Sequence, residues 1–532
     1  MTNAPMGDAQ SPRLTTAEIA EAERLESTAK RRTNAPAAVA TRQGQGTRGW
    51  LGWLDHALTR LTASEWAFTG LLALCYVYFI MAPSTNTISR WDMVYALAHG
   101  QAIIDVHAKN SIDVSYYNGH WYSPRSLGLS LVATPILWAL GLFVSLDFPQ
   151  RVALATQIDL LNVLTVVPVG IVAALVMRRF IVRLRPQLAE SPLPYVAAGA
   201  FALATLAYPF TVVFLSHAFG GGLLFIAFYL LYRARSAPHP ARGLLLAGLL
   251  SGLAVISEYL AGVIFLILCG YILLAFPGKR LLSLILYGLG MAPSALALTW
   301  YNWFAFGNPL SVSYGFVSGS EFSGQHSGFF GVTLPRLSGL WQILVYPRGL
   351  LIESPFLLLI PLGLYLWYRS GVARLEALVI IAVSVAYPLI VSSYFLPMAG
   401  DSVPGPRLLV PMLPFACMGL AWLVDDARLW VRGALTLTLG VSLLVTFLYI
   451  ITGVRIFHAY GAYPIFSLYL PTLRSGIVPP LNGATPSNLG ARLLHLPQWL
   501  SIYVVGLALA AWFYAAAKAL LARQTGASTQ AH

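Results

Sequence analysis

Residues Leu127 to Leu146 read LGLSLVATPILWALGLFVSL, without a single charge. About 20 apolar residues in a helix suffice to cross the hydrocarbon core of a bilayer. Whether this run crosses decides the orientation of everything after it. If it does, the basic segments RRFIVRLR (Arg178 to Arg185), RARSAPHPAR (Arg233 to Arg242), GKR (Gly278 to Arg280) and RSGVAR (Arg369 to Arg374) face the side opposite the basic N-terminal tail. If it does not, all of them fall on the side of that tail, as the excess of Lys and Arg in cytoplasmic loops demands. The run is therefore read as a juxtamembrane or re-entrant helix on the outer face, interrupted at Pro135, with its backbone covered by protein.

The rest of the chain supports an all-α, polytopic membrane protein. It is 57% hydrophobic and 10% charged over 532 residues, with a mean hydropathy of +0.69, outside the range of soluble domains. Besides the opening run, twelve apolar segments reach spanning length, at about 65–82, 152–177, 193–212, 217–233, 243–258, 260–276, 281–301, 350–368, 375–395, 408–424, 433–451 and 498–520. Cys75, Cys269 and Cys417 all sit inside such segments and read as small buried hydrophobes. The net charge of +13 is dispersed through short loops, so it marks topology and not a nucleic-acid surface.

Four regions follow from this pattern. Residues 1–49, rich in Ala, Thr, Arg, Gln and Glu, read as a disordered cytoplasmic tail. Residues 50–64 contain WLGWLDHALTRL and read as an amphipathic helix along the inner surface. Residues 65–424 form the main transmembrane module, with outer loops 83–151, 302–349 and 396–407. Residues 425–532 add C-terminal helices and an outer loop at 452–497. Both termini are cytoplasmic in this topology, and the location expected is a bacterial cytoplasmic membrane.

The charges of the outer half are the candidates for chemistry. Asp92, Asp105, Asp113, Asp147, Asp159, Glu258, Glu321, Glu353 and Asp401 gather there, with Arg90, Arg125, Arg348, Arg407 and Arg455 held against the topological bias. Carboxylates beside arginines suit transfer from a phosphate-linked donor, where a base activates a hydroxyl and a cation holds the leaving phosphate. Asp92 also reads as support for the N-terminus of a helix over Trp91 to His99, and Asp105 and Asp113 as loop acids in Asx turns. His99, His107 and His120 lie eight and thirteen residues apart and match no compact metal motif, so no cofactor is expected and a divalent ion is the less favoured alternative. His120 and Tyr122, in YYNGHWYS, read either as a sugar-stacking surface or as aromatic packing at the headgroup level. Arg407 in GPR and Arg348 in YPRGLL read as phosphate ligands, with snorkelling anchors as the alternative. Glu258 and His217 line the cavity or make interhelical hydrogen bonds.

Four segments together resemble the GT-C glycosyltransferase superfamily, in the bacterial branch similar to dolichyl-phosphate-mannose:protein mannosyltransferases. They are NTISRWDMVYAL followed by DVSYYNGHWYSPRSLGLSLVATP (Asn86 to Pro135), TWYNWFAFGNPLSVSYG (Thr299 to Gly315), YPRGLLIESP (Tyr346 to Pro355) and AGDSVPGPRLLVPMLPF (Ala399 to Phe415). The resemblance implies a multi-span helical fold with juxtamembrane helices in the first outer loop. It also implies inverting transfer of a sugar from a polyprenyl-phosphate-linked donor to an acceptor hydroxyl on the outer face, the acceptor being glycan, lipid or protein. By position Asp92 matches the family's catalytic base. Arg407, Arg348 and Arg125 are the expected ligands of the donor phosphate, and Asp105, Asp113, His120, Tyr122 and Glu258 the expected contacts to sugar or acceptor. Where the family shows an aromatic-Ser-Asp/Glu-Lys-Ala-Pro-Gly pattern, this chain has YSPRSLG, and Arg125 supplies the cation that Lys would. A lipid-linked sugar flippase and a non-catalytic scaffold of an envelope-polymer complex are the rival functions. The flippase lacks an internal repeat to support it.

Overall fold

A computed structural model describes residues 61–81, 83–143, 151–318, 324–398, 405–423, 428–451, 465–475 and 488–522. The expected tail (1–49), nearly all of the expected surface helix (50–64), and Asp147, Glu321, Asp401 and Arg455 lie outside these residues. The account below concerns the compact unit that begins at Ala63.

Helix α1 (Ala63–Val77) leads to α2 (Thr85–Ala98), a two-stranded hairpin, α3 (Leu127–Gly141) and the long α4 (Arg151–Leu184). Next come α5 (Leu193–Leu203), α6 (Ser216–Arg235), α7 (Pro240–Ser257), α8 (Gly262–Ala275) and α9 (Arg280–Phe306). The C-terminal half adds α10 (Leu337–Leu344), α11 (Ile360–Ser370), α12 (Arg374–Ser393), α13 (Leu429–Ile451) and α14 (Tyr503–Leu521). Seven helices have the length and hydropathy to cross a membrane, and five shorter apolar helices accompany them. The two sets include eleven of the twelve expected spans, together with α3.

The twelfth, 350–368, is not one helix. It divides into Leu350–Glu353, a 3-10 turn at Pro355–Leu359 and α11. Proline drives the residue before it out of the α region, and Ser354 accordingly has φ −137° and ψ 69°. The expected span at 408–424 likewise starts as a 3-10 turn, Arg407–Met412, between Pro406 and Pro414. That at 193–212 breaks after Leu203 and resumes at Ala207–Thr211.

The opening run differs in the other direction. The break expected at Pro135 is absent, because α3 continues through it from Leu127 to Gly141. A proline inside a helix removes one hydrogen bond, and here α3 is braced against α2, α4 and α7. Its 15 residues amount to about 22 Å, against about 30 Å of hydrocarbon.

Helix ends sort the molecule into two levels. Arg178 and Arg179 of α4 bind Glu65 of α1, and Arg235 of α6 binds Glu376 of α12, so these termini share one end, the basic end. Ser216, Glu258 and Tyr394, at the other termini of α6, α7 and α12, mark the opposite end. Between the two levels α7 and α9 pack back to back, and a Cβ on Gly248 or Gly290 would overlap a carbonyl of the facing helix.

Candidate functional site

The site is built at the end opposite the basic loops. Its first element is α2, which starts earlier than its sequence suggests. Ser84 and Thr87 form a capping box, with Ser84 Oγ accepting from the Thr87 amide at 3.2 Å and Thr87 Oγ1 accepting from the Ser84 amide at 2.8 Å. Asp92 is therefore the eighth residue of a helix and not at its N-terminus, so the expected dipole role does not apply. Two residues along a helix turn through about 200°, and Arg90 and Asp92 consequently point to opposite faces.

Arg90 faces the spans. Its Nη1 donates to the Ser126 carbonyl at 3.0 Å and its Nη2 to Ser216 Oγ at 3.3 Å, while its Nε is buried without an acceptor. Burial, and then the neighbouring Arg125, push its guanidinium down to about 10. Arg125 follows the hairpin and pairs through Nη2 with Asp113 Oδ2, which precedes the hairpin. Burial works against the Arg125 charge, but Asp113 offsets this and holds the guanidinium above its ordinary value. Arg407 opens the 3-10 turn after Pro406 and lies within electrostatic reach of Arg125, Asp113, Glu258 and Tyr394. The Nε atoms of Arg125 and Arg407, like that of Arg90, are buried and unpaired.

Glu258 sits where the chain passes from α7 into α8. Its Oε2 accepts from Ser216 Oγ at 3.3 Å and stands 2.6 Å from His217 Nδ1, off the line of a good hydrogen bond. Tyr314 is within reach of Arg90, Arg125, Glu258 and Asp113, and burial pushes its phenol up. Three guanidinium groups thus surround two carboxylates, an excess of one positive charge before His217 is counted. Three orphaned buried donors in such a nest are a strong demand for an anion.

A close contact sets the geometry of YSPRSLG. Ser126 Oγ donates to the Ser257 carbonyl, and Gly128 lies so near Ser257 that a Cβ there would overlap it. The small residue after Arg125 lets the start of α3 touch the end of α7, which brings Arg125 to Glu258's side of the molecule.

Of the residues expected from sequence, Arg125, Arg407, Asp113 and Glu258 come together. Asp92 does not join them: both of its oxygens are buried without a partner, and burial pushes its carboxyl up to about 8 with no neighbouring charge contributing. Tyr122 is a core residue, packed on Phe306 at 5.0 Å in a cluster with Met93, Leu127 and Tyr301, which corrects the reading of it as a sugar contact. Asp105 and His120 form a separate pair, and Arg348 has its carbonyl against Gly405 and its charge near Glu353. Among the described residues no three His, Cys, Asp or Glu side chains converge as metal ligands would. Tyr314 carries no signal in the sequence, Arg90 stands there only as one of the outer-half charges, and His217 only as a residue that lines the cavity or makes an interhelical hydrogen bond.

No protein-family model matches the chain, and no curated protein matches it. Among solved structures it is similar to ArnT from Cupriavidus metallidurans bound to undecaprenyl phosphate, with 14% identity over 86% of this chain and 77% of that one and a TM-score of 0.47. It is also similar to the oligosaccharyltransferase of Archaeoglobus fulgidus in the apo form, with 11% identity over 74% of this chain and 56% of that one and a TM-score of 0.46. A third similar structure is AglB from the same archaeon in complex with an inhibitory peptide and a dolichol-phosphate, with 13% identity over 88% of this chain and 57% of that one and a TM-score of 0.42.

Proposed function

We propose that this chain is a membrane glycosyltransferase that moves a sugar from a polyprenyl-phosphate-linked donor to an acceptor hydroxyl, with inversion, at the outer face of a bacterial cytoplasmic membrane. The observation that carries the reading is the nest of Arg90, Arg125 and Arg407, each with an orphaned buried Nε, around Asp113 and Glu258 at the end opposite the basic loops. Guanidinium groups aimed at one place match a phosphate better than they match a neutral sugar.

In the proposed step Glu258 takes the proton of the acceptor hydroxyl, and the freed oxygen attacks the anomeric carbon from the face away from phosphate. The bond from that carbon to the phosphate oxygen breaks as the new one forms. The charge left on the polyprenyl phosphate falls among the three arginines, where preformed donors stabilise it without reorganising. Ser216 Oγ holds the carboxylate at 3.3 Å, and His217 Nδ1, 2.6 Å from it, is placed to relay its proton. Neither partner of this exchange needs a further cofactor.

Asp92 is the second reading for the base, and one observation favours it. A carboxyl pushed up to about 8 by burial is a far stronger base than an ordinary one. Position separates the two readings: Glu258 lies among the arginines that would hold the phosphate, whereas Asp92 points away from them.

The deciding experiment uses the full chain in nanodiscs with labelled hexosyl- and pentosyl-phosphate polyprenol donors. Wild type should transfer label to added acceptors, and Glu258→Gln and Arg407→Ala should not. Asp92→Asn stays active if Glu258 is the base and dies if Asp92 is. Movement of intact donor across liposomes without sugar transfer would mean a flippase, and neither activity would mean a scaffold.

A further inference from the structure

The outer loop expected at 302–349 contains helix α10, whose eight residues carry three distinct faces. At about 100° per residue, Gly339 and Ile343 share one face, and both are buried. A Cβ on Gly339 would overlap the Ser392 carbonyl, so this face is seated on the end of α12. About 100° round the helix, Ser338 and Gln342 form an exposed polar face. About 100° further on, Leu337 and Trp341 stand one turn apart, 83% and 60% exposed, and the exposed Val345 at the C-cap continues them. A helix on a soluble surface turns its apolar stripe to the core. Helix α10 already has its core contact and still leaves a second apolar stripe uncovered.

Its level in the molecule says what covers that stripe. The Thr333 amide and Oγ1 both donate to the Ser393 carbonyl at 3.0 Å, and Arg336 Nη2 donates to the Tyr394 carbonyl at 2.6 Å. These bonds pin α10 to the end of α12 farthest from the basic loops. Helix α12 is long and apolar enough to cross a membrane, and it turns Leu378, Val385 and Leu389 outward on one face. This lipid-facing stripe runs up the span and stops one turn short of Ser393, where α10 is tied. Faces set on protein, in polar surroundings and on nothing, in turn round one helix, are those of a helix lying in the plane of a bilayer surface. An indole is the ring enriched at that boundary. A stripe of three side chains also falls short of the roughly 800 Å² that a stable protein partner covers on each side.

We propose that α10 is an outer-leaflet anchor, with Leu337, Trp341 and Val345 seated among lipid chains at the headgroup boundary and Ser338 and Gln342 in water. The anchor stands whether or not the chain transfers sugar. Tyr394, tied to it through its carbonyl, lies within electrostatic reach of Arg125, Glu258 and Arg407. The seat of α10 thus sets the outer headgroups of the bilayer level with the arginine nest.

The test places the photoreactive benzoylphenylalanine at single positions of the full chain, in liposomes of phosphatidylethanolamine and phosphatidylglycerol with radiolabelled acyl chains. Val385→benzoylphenylalanine, on the outward face of α12, gives the signal of a span in lipid. After illumination, Leu337→benzoylphenylalanine and Trp341→benzoylphenylalanine should each take up label to about half of that signal or more. Both should exceed Ser338→benzoylphenylalanine and Gln342→benzoylphenylalanine by about 5-fold, since the polar face meets water. All four positions are exposed on one helix, so the variants should melt as wild type does, and the comparison between faces holds among those that do. Equal labelling of the two faces, labelling of the polar face above the apolar one, or crosslinking of Trp341→benzoylphenylalanine to a second copy of the chain in place of lipid would each overturn the proposal.

Discussion

The two ends of the molecule both bury arginines beside carboxylates, and they do so differently. At the basic end Glu65 takes three hydrogen bonds, from Arg178 Nη1 at 3.2 Å, Arg179 Nε at 2.8 Å and Arg179 Nη2 at 3.1 Å. Glu376 takes Arg235 at 3.0 Å and Tyr271 at 2.8 Å. At the opposite end Asp92 has no partner, Asp113 keeps one oxygen unpaired, and three arginines leave Nε without an acceptor. Arg178 at the basic end also leaves its Nε without an acceptor, so the contrast lies in the carboxylates, saturated at the basic end and not at the other: a saturated buried carboxylate holds helices together, whereas an unsaturated one costs stability. The contrast separates scaffold from site more sharply than residue type does.

The largest expected effect breaks the unsaturated end. Arg407→Ala should lower sugar transfer by about 10²–10³-fold, the loss typical of a removed oxyanion stabiliser, with thermal stability unchanged or slightly raised because it removes the surplus positive charge, whereas Glu258→Gln should lose transfer and also melt lower. A transfer assay beside a thermal melt checks both halves. The saturated end should respond in the opposite way. Glu65→Gln leaves two arginines short of their charge and should cost about 3 kcal/mol, seen as a lower melting temperature, with transfer within about 3-fold of wild type below it. Transfer lost in Glu65→Gln without loss of stability would break the comparison.

A subtler change sharpens it. Gly128→Ala pushes α3 away from Ser257 and should reduce transfer roughly 10-fold by moving Arg125, while undecaprenyl phosphate binding weakens in step, because a misplaced cation loses most of its worth. The smallest effect concerns Asp92. Its folded carboxyl titrates near 8, whereas in an unfolded chain a carboxyl titrates at about 4. Between these values the unfolded state releases its proton and the native state keeps it, so stability falls as pH rises through this window. Asp92→Asn should therefore melt a few degrees higher than wild type at pH 8 and alike at pH 4. Equal melting at pH 8 would show that Asp92 has a partner in solution.

Much of the fold is legible in the sequence because apolar runs and arginine placement are directly physical. The run that failed did so at proline, 350–368 at Pro355, and 408–424, though present, opens as a 3-10 turn across Pro411, where hydropathy is blind to backbone geometry. Pro135 misled in reverse, since packing around α3 outweighed one missing hydrogen bond. The site was half legible. Arg125, Arg407, Asp113 and Glu258 stand out as charges in apolar surroundings, but their convergence depends on contacts such as Ser126 with Ser257 that no local pattern encodes. Arg90 was hidden by its neighbour Asp92, and only the true start of α2 at Thr85 shows that the two face apart.

The Asp113–Arg125 pair ties the hairpin to any anion that Arg125 would take up. An anion arriving at Arg125 competes with Asp113 for the same guanidinium, and so loosens the root from which the strands Ser115–Tyr117 and His120–Tyr122 grow. Linkage is reciprocal: whatever fixes the hairpin must alter the affinity for the anion by the same factor. The ion pair is thus a coupling, through which the occupation of Arg125 is felt in the hairpin.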